Sequence, residues 1–313
     1  MSPQEARSGG PPATGEASSA GVINVLKPPG MTSHDVVAWV RRRLGVKAGH
    51  GGTLDPGAAG VLVVGVGRAT RLLGFLLEGT KDYRVEVVLG ARTPTGDASS
   101  PEEPGGDASP LDHQRVERAM AALTGEITQV PPMTSAIKCG GQPLYALARR
   151  GKEVPRPPRR VTVFRAQLLE FMPGPRAHLL VDLTCSHGTY VRTWCQDLGE
   201  LLGVGGYMRF LVRTRVAGFR LEESALLEEI RDHPGRAVAP AVRMVEHLPA
   251  LLARGGREKV ACGRIPRHLL EVPASLSPGQ RARVMGPEGE LWAIARWTGE
   301  GDPIPETVLV GVD

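Results

Sequence analysis

A chain of 313 residues, 41% of them hydrophobic, carries enough apolar side chain for a large core and a smaller second unit. Nothing approaches eighteen consecutive apolar residues, so no membrane-spanning helix is expected. The four cysteines (Cys139, Cys185, Cys195, Cys262) form no CxxC pair, which argues against a metal site or a disulfide framework. A net charge of +5, supplied mostly by arginine, and a sequence pI near 9.2 point to a polyanionic partner.

Residues 1–20 are rich in Ser, Gly, Pro and Ala and lack the apolar core of a signal peptide. They are expected to form a disordered extension of a cytoplasmic protein. Val22 to Leu26 reads as a short strand, ended by Lys27-Pro28-Pro29-Gly30. Thr32 or Ser33 then caps a helix through Leu44, with Asp35 in the first turn, where the helix dipole favours an acid.

The stretch from Gly49 to Thr80 is the most informative. Asp55 stands between Leu54 and Pro56, with Gly49, Gly51 and Gly52 before it and Gly57 and Gly60 after. Such glycines permit positive φ and close approach by another molecule, and Pro56 biases Asp55 towards an extended or turn conformation. An acid on a rigid loop that feeds a core strand (Val61 to Val66) is a plausible catalytic device, although Leu-Asp-Pro-Gly is also an ordinary turn. Ala69 to Leu77 is expected to be an amphipathic helix. Gly65-Val66-Gly67 resembles the start of a dinucleotide fingerprint, but Thr70 occupies the third glycine position and no GK[ST] follows.

Tyr83 to Leu89 alternates as a half-buried strand does. Residues 93–110 are predicted to be an exposed loop, and Asp112 to cap a helix reaching about Leu123. Ser135 to Lys138 reads as extended, and Pro143 to Arg149 as a short helix. Seven basic residues against one acid, Glu153, occupy 149–165, which suits either a phosphate-contacting loop or a solvated face. Ala177 to Ser186 is a further strand, followed by a helix to about Leu202 and a strand-like Tyr207 to Phe219. Few helical crossovers separate these strands, so the expected class is α+β with a mixed, largely antiparallel sheet. Composition changes near Leu248-Pro249. Two alternating strands around Met285 and Ile294 then suggest a small β-rich domain, in which Trp292 and Trp297 are either RNA-stacking residues or core.

Four segments in this order carry a specific resemblance: Lys27-Pro28-Pro29-Gly30-Met31-Thr32-Ser33, His50-Gly51-Gly52-Thr53-Leu54-Asp55-Pro56, Ser135-Ala136-Ile137-Lys138 and Cys185-Ser186-His187-Gly188-Thr189-Tyr190-Val191-Arg192. With them the chain resembles the TruB family of tRNA pseudouridine synthases over nearly everything from Gly21 to Asp313. Gly51 departs from the usual Thr, Leu26 from an acid and Val212 from an Arg.

The resemblance implies the pseudouridine synthase fold over residues 21–247 and a PUA-like RNA-binding domain over 248–313. It implies cofactor-free conversion of uridine 55 in the T arm of tRNA to pseudouridine, by a monomer. It makes Asp55 the nucleophile, with Arg192 pairing to it and Tyr83 stacking on the base and assisting C5 deprotonation. His50 would fill the stack left by a flipped nucleotide, Tyr190 and Leu211 would line the uracil pocket, and Lys27 would support the active-site loop beside the substrate. Read alone, these are a loop histidine, a surface arginine, core side chains and a strand-end lysine. A non-catalytic RNA-binding or tRNA-folding protein is the alternative, and the intact set of Asp55, Tyr83 and Arg192 argues against it, since phosphate binding needs no buried acid.

Overall fold

A computed structural model describes residues 20–311, apart from 78, 136–137, 140, 145–146, 148–149 and 153. The expected extended segment at Ser135 to Lys138 and the helix at Pro143 to Arg149 fall partly outside the described residues, as does nearly all of the expected N-terminal extension. Among the described residues no helix is long and apolar enough to cross a membrane.

The fold is α+β, built on one large mixed sheet. Its strands run in the spatial order Ala239–Pro240, Ala20–Lys27, Ala59–Gly67, Gly206–Val216, Lys81–Leu89, Ala177–Cys185, Arg159–Met172 and Gly125–Gln129. Ala48–His50 pairs with Ala59–Gly67, and Phe219–Arg220 with Gly206–Val216. Every pairing in this sheet is antiparallel except that of Ala59–Gly67 with Gly206–Val216, which is short and parallel.

Alternation decides the faces. Tyr83, Val85, Val87 and Leu89 turn inward and meet Trp194 and Leu198 of the helix Val191–Leu201 in the main core, whereas Asp82, Arg84 and Glu86 turn towards solvent. The helix Ser33–Leu44 covers another part of the sheet through Val36, Val37 and Val40. Thr32 is its N-cap, and Thr32 and Asp35 cap each other's backbone N–H groups.

Three expectations need correction. Ala69 to Leu77 is not one α-helix but a 3₁₀ turn, Arg68–Leu72, followed by a short helix, Leu73–Leu77. Tyr207 to Phe219 is not one strand; it turns back at Ala217-Gly218, with Ala217 at φ 49°, into the Phe219–Arg220 strand. Residues 93–110 are not simply exposed, since Thr93 and Ala108 are buried. Glycine backbone lies against glycine backbone there, with Gly90 N–H donating to Gly205 and Gly106 N–H to Val204. The polar side chains of the loop satisfy one another rather than water, as Thr95 Oγ1 donates to Asp97 Oδ1 at 2.7 Å.

A second sheet follows, in the order Leu270–Glu271, Ala250–Ala253, Arg281–Met285, Leu291–Arg296 and Ile304–Val308. Trp292 and Trp297 are 2% and 4% exposed in its core, so neither offers a face for RNA stacking. This sheet is fastened to the first. Ile294 and Leu309 pack with Val22, Val61 and Leu72, and Arg68 and Arg71 donate to the carbonyls of Leu309 and Val308. Burial of two such side chains contributes roughly 1.5–3 kcal/mol each. A chain ending at Pro249 is therefore expected to melt well below the full-length protein in a thermal unfolding scan.

Candidate active site

The loop between Ala48–His50 and Ala59–Gly67 has no regular secondary structure, yet most of its carbonyls are bonded. Ser33 Oγ, buried at the start of its helix, accepts from Leu54 N–H at 2.8 Å and donates to Leu54 C=O at 3.0 Å. Lys27 is fully buried, and its ammonium donates to Pro28 C=O (2.8 Å), Pro56 C=O (3.2 Å) and Ala58 C=O (2.7 Å). Arg213 is 1% exposed and donates to Gly52 C=O (3.1 Å), Thr53 C=O (3.2 Å) and Val61 C=O (2.8 Å). Two buried cations thus replace the ladder that a strand or helix would supply. Burial lowers Lys27 to about 8, against the opposing pull of the Asp55 carboxylate.

Glycine is required where the loop enters the Ala59–Gly67 strand. Gly60 has φ +111°, and a Cβ there would lie 2.2 Å from Arg213 C=O and 2.7 Å from its nitrogen. At Gly51 the space a side chain would fill is taken by Leu76, whose Cδ2 would be 2.4 Å from an added Cβ. The departure at Gly51 is therefore matched by packing.

Asp55 projects from this loop towards Arg192. Arg192 Nε lies 2.9 Å from Asp55 Oδ2, and Nη2 donates to Oδ1 at 3.2 Å, a two-point pair. Arg192 belongs to the first turn of the helix Val191–Leu201 and is 5% exposed. Its other contacts are the Thr95 carbonyl at 3.3 Å, the hydroxyl and carbonyl of Thr134, and Asp97 Oδ2 at 3.5 Å. The Asp55 side chain keeps 35% of its surface open to solvent, so an incoming molecule can reach it. Burial raises Asp55 above the ordinary carboxylate value. Arg192 opposes that rise and the Asp97 charge adds to it.

Tyr83 lies nearly buried on the central strand, directly opposite Arg213 on the neighbouring one. Burial raises its phenol, and the adjacent Arg213 charge opposes the rise. Leu211 is also core, and it joins Tyr83, Leu54, Ala58 and Val191 in one cluster around the loop. Tyr190 precedes the Arg192 helix as its N-cap residue. The Gln129 amide grips it by accepting from its N–H at 3.0 Å and donating to its C=O at 3.2 Å. His50 ends the edge strand Ala48–His50, and its Nδ1 is buried without a partner among the described residues. Burial lowers its imidazole, so the neutral form is favoured.

The structure thus brings Asp55 and Arg192 into contact and sets Tyr83 and Leu211 in the adjoining core. Lys27 faces the underside of the loop, with no surface left for a substrate. Sequence reasoning missed Asp97, Gln129, Thr134 and Arg213. Asp97 was masked by loop-like composition. Arg213 carried a signal, since it follows Leu211 at a spacing of two and a charged side chain there must turn inward.

Residues 41–191 match the TruB family pseudouridylate synthase N-terminal domain, and 192–245 match the tRNA pseudouridylate synthase B C-terminal domain. A protein named tRNA pseudouridine synthase B from Pelotomaculum thermopropionicum is 47% identical, over 88% of this chain and 90% of its own. The chain belongs to the TruB family of pseudouridine synthases. A relative of the same name from Symbiobacterium thermophilum is 54% identical, over 72% of this chain and 75% of its own. A chain from an H/ACA RNP bound to a substrate RNA containing 2'-deoxyuridine superposes with a TM-score of 0.72 at 28% identity, over 94% of this chain and 86% of that one. The archaeal box H/ACA Nop10–Cbf5 complex gives 0.70 at 28% identity, over 94% and 87%. The TruB C-terminal match ends at Val245, so it covers the Arg192 helix and the Arg213 strand rather than the second sheet.

Proposed function

We propose that this protein converts uridine 55 in the T arm of tRNA to pseudouridine, with Asp55 as the nucleophile. The observation that carries the reading is the acid itself: partly open, on a loop pinned from below, and paired through two donors with a buried Arg192. Family membership and the relatives' shared name support the reaction and the tRNA substrate.

The chemistry is an isomerisation, and atoms balance within the substrate. The N1–C1′ bond breaks, the base turns over, C5 bonds to C1′, and the C5 proton leaves while N1 regains one. Asp55 holds a covalent intermediate during the turn. Arg192 keeps its carboxylate ionised and aimed. Tyr83 stacks on the base and assists C5 deprotonation, with Tyr190 and Leu211 lining the uracil pocket. The target nucleotide flips out of its stack to reach this depth, and His50 takes its place. Residues 21–247 form the catalytic unit, and residues 248–313 a PUA-like domain for the rest of the tRNA. The protein acts as a monomer in the cytoplasm. Release of tritium from tRNA transcribed with [5-³H]uridine tests the reaction: release is expected, and none would refute it.

A nucleophilic carboxylate must be ionised, and that of Asp55 is held above its ordinary value of 3.8. The single-turnover rate is expected to fall with acid through a midpoint above that value. The Asp97 charge raises Asp55, so Asp97→Asn should move this midpoint to lower pH; a pH–rate profile of both proteins checks it. The same raised value means that the contribution of Asp55 to stability is present in acid and lost as pH rises through its folded pKa.

Arg159 and Arg160 are exposed at the start of the Arg159–Met172 strand. Each phosphate contact releases condensed counterions, so alanine at both should weaken tRNA binding and flatten its dependence on salt by about one unit of slope per lost contact. Filter binding from low to moderate salt reads this directly. An unchanged slope would mark the run as a solvated face.

A further inference from the structure

Arg213 is the least expected side chain in the core. Its guanidinium is 1% exposed with no carboxylate in contact among the described residues, and burial holds it below the ordinary arginine value. A buried charge left without its bonds is costly, so each acceptor around this guanidinium counts. Its acceptors are not scattered. Gly52 and Thr53 lie just before Asp55, and Val61 lies just after the loop rejoins the sheet. Each nitrogen of the guanidinium takes one of the three carbonyls.

The register adds a second link. Arg213 and Tyr83 are direct partners on neighbouring antiparallel strands, so their side chains stand side by side on one face. The Arg213 charge acts on the neighbouring Tyr83 phenol, opposing the rise that burial gives it. On its other side Arg213 pairs with Gly60, where the absence of a side chain lets the two backbones meet. The guanidinium therefore touches the Asp55 loop at both ends, and its strand sets it beside Tyr83. A lysine at this position would carry the charge, but its single nitrogen could not span carbonyls at both ends of the loop.

We propose that Arg213 is a positioning residue for the reaction, one that sets the Asp55 loop and the Tyr83 phenol in a single fixed relation. It does not meet the substrate itself. The inference rests on the reading of Asp55 as nucleophile and Tyr83 as the base-facing residue. An ordinary core residue would affect melting alone. A positioning residue affects the chemical step at unchanged binding, because a displacement of about 1 Å can cost about 10²-fold in rate.

The test uses full-length Arg213→Lys and Tyr83→Phe proteins beside the wild type. For Arg213→Lys we expect unchanged tRNA affinity by filter binding, and single-turnover conversion at saturating enzyme slowed by about 10²-fold. A folded variant that reacts within about threefold of wild type would overturn the proposal, as would a loss accounted for by binding alone. Tyr83→Phe leaves Arg213 intact and keeps the proposal testable if the lysine variant does not fold. In that protein the guanidinium N–H resonances of Arg213, read by ¹⁵N NMR, should shift. Unchanged resonances would overturn the link to the phenol. The wild-type reaction is the control that separates the two ideas. No product from wild type refutes the nucleophile reading, whereas a normal wild type with an equally active Arg213→Lys refutes only this inference.

Discussion

Asp55→Asn is expected to bind tRNA normally and to form no pseudouridine. The amide is nearly the same size as the carboxylate, and the loop is held by Ser33, Lys27 and Arg213 through its backbone rather than through the Asp55 side chain. Fold and melting temperature should therefore change little. Loss of a nucleophile commonly costs about 10⁴-fold or more in rate, which puts product below detection in a multiple-turnover assay. Quantification of pseudouridine by nucleoside chromatography after digestion reads the outcome. Activity within tenfold of wild type would sink the assignment, because nothing weaker than a covalent role needs this carboxylate.

Arg192→Lys should be damaging despite the conserved charge, though less so than loss of the Asp55 carboxylate. Two guanidinium nitrogens reach the two Asp55 oxygens, while Nη1 faces Thr95, Thr134 and Asp97 on the opposite side. An ammonium has a single nitrogen and cannot serve both sides at once. Loss of one charge-assisted bond costs about 1.5–3 kcal/mol, or about 10–10²-fold in rate. Asp97 also loses its cationic partner, which should push the Asp55 carboxyl further up and carry the acid limb of the pH–rate profile with it. Stopped single-turnover kinetics with a parallel thermal scan would separate this loss from unfolding. Near-normal turnover would show that Arg192 serves only to hold the surrounding loops.

Much of the fold was legible in the sequence. Period-two alternation located Tyr83 to Leu89 and Ala177 to Ser186, and the Thr32 cap located its helix, because those patterns report local geometry. The large sheet was harder. Its edge strand Gly125–Gln129, like the edge strand Ile304–Val308 of the second sheet, is half-exposed and carries few apolar residues, so tertiary pairing decides both. The 3₁₀ turn at Arg68–Leu72 likewise follows from packing against the sheet.

The site divides in the same way. Asp55 was legible because its Gly and Pro neighbours restrict the loop visibly, and Arg192 because it closes a recognisable segment. Asp97 was not legible. Its role arises from a polar loop that folds back on glycine backbone, a long-range event with no periodic trace. The function of Lys27 was half legible: a lysine before two prolines marks a special strand end, but only the structure reveals three carbonyls around its ammonium.

The central claim is that Asp55 drives isomerisation of one uridine in the T arm. The most direct measurement is primer extension on an unmodified tRNA transcript after carbodiimide labelling, with wild-type and Asp55→Asn proteins run side by side. A single new stop at uridine 55 with wild type, absent with Asp55→Asn, is the predicted result. Stops elsewhere in the tRNA, or the same stop with both proteins, would contradict it.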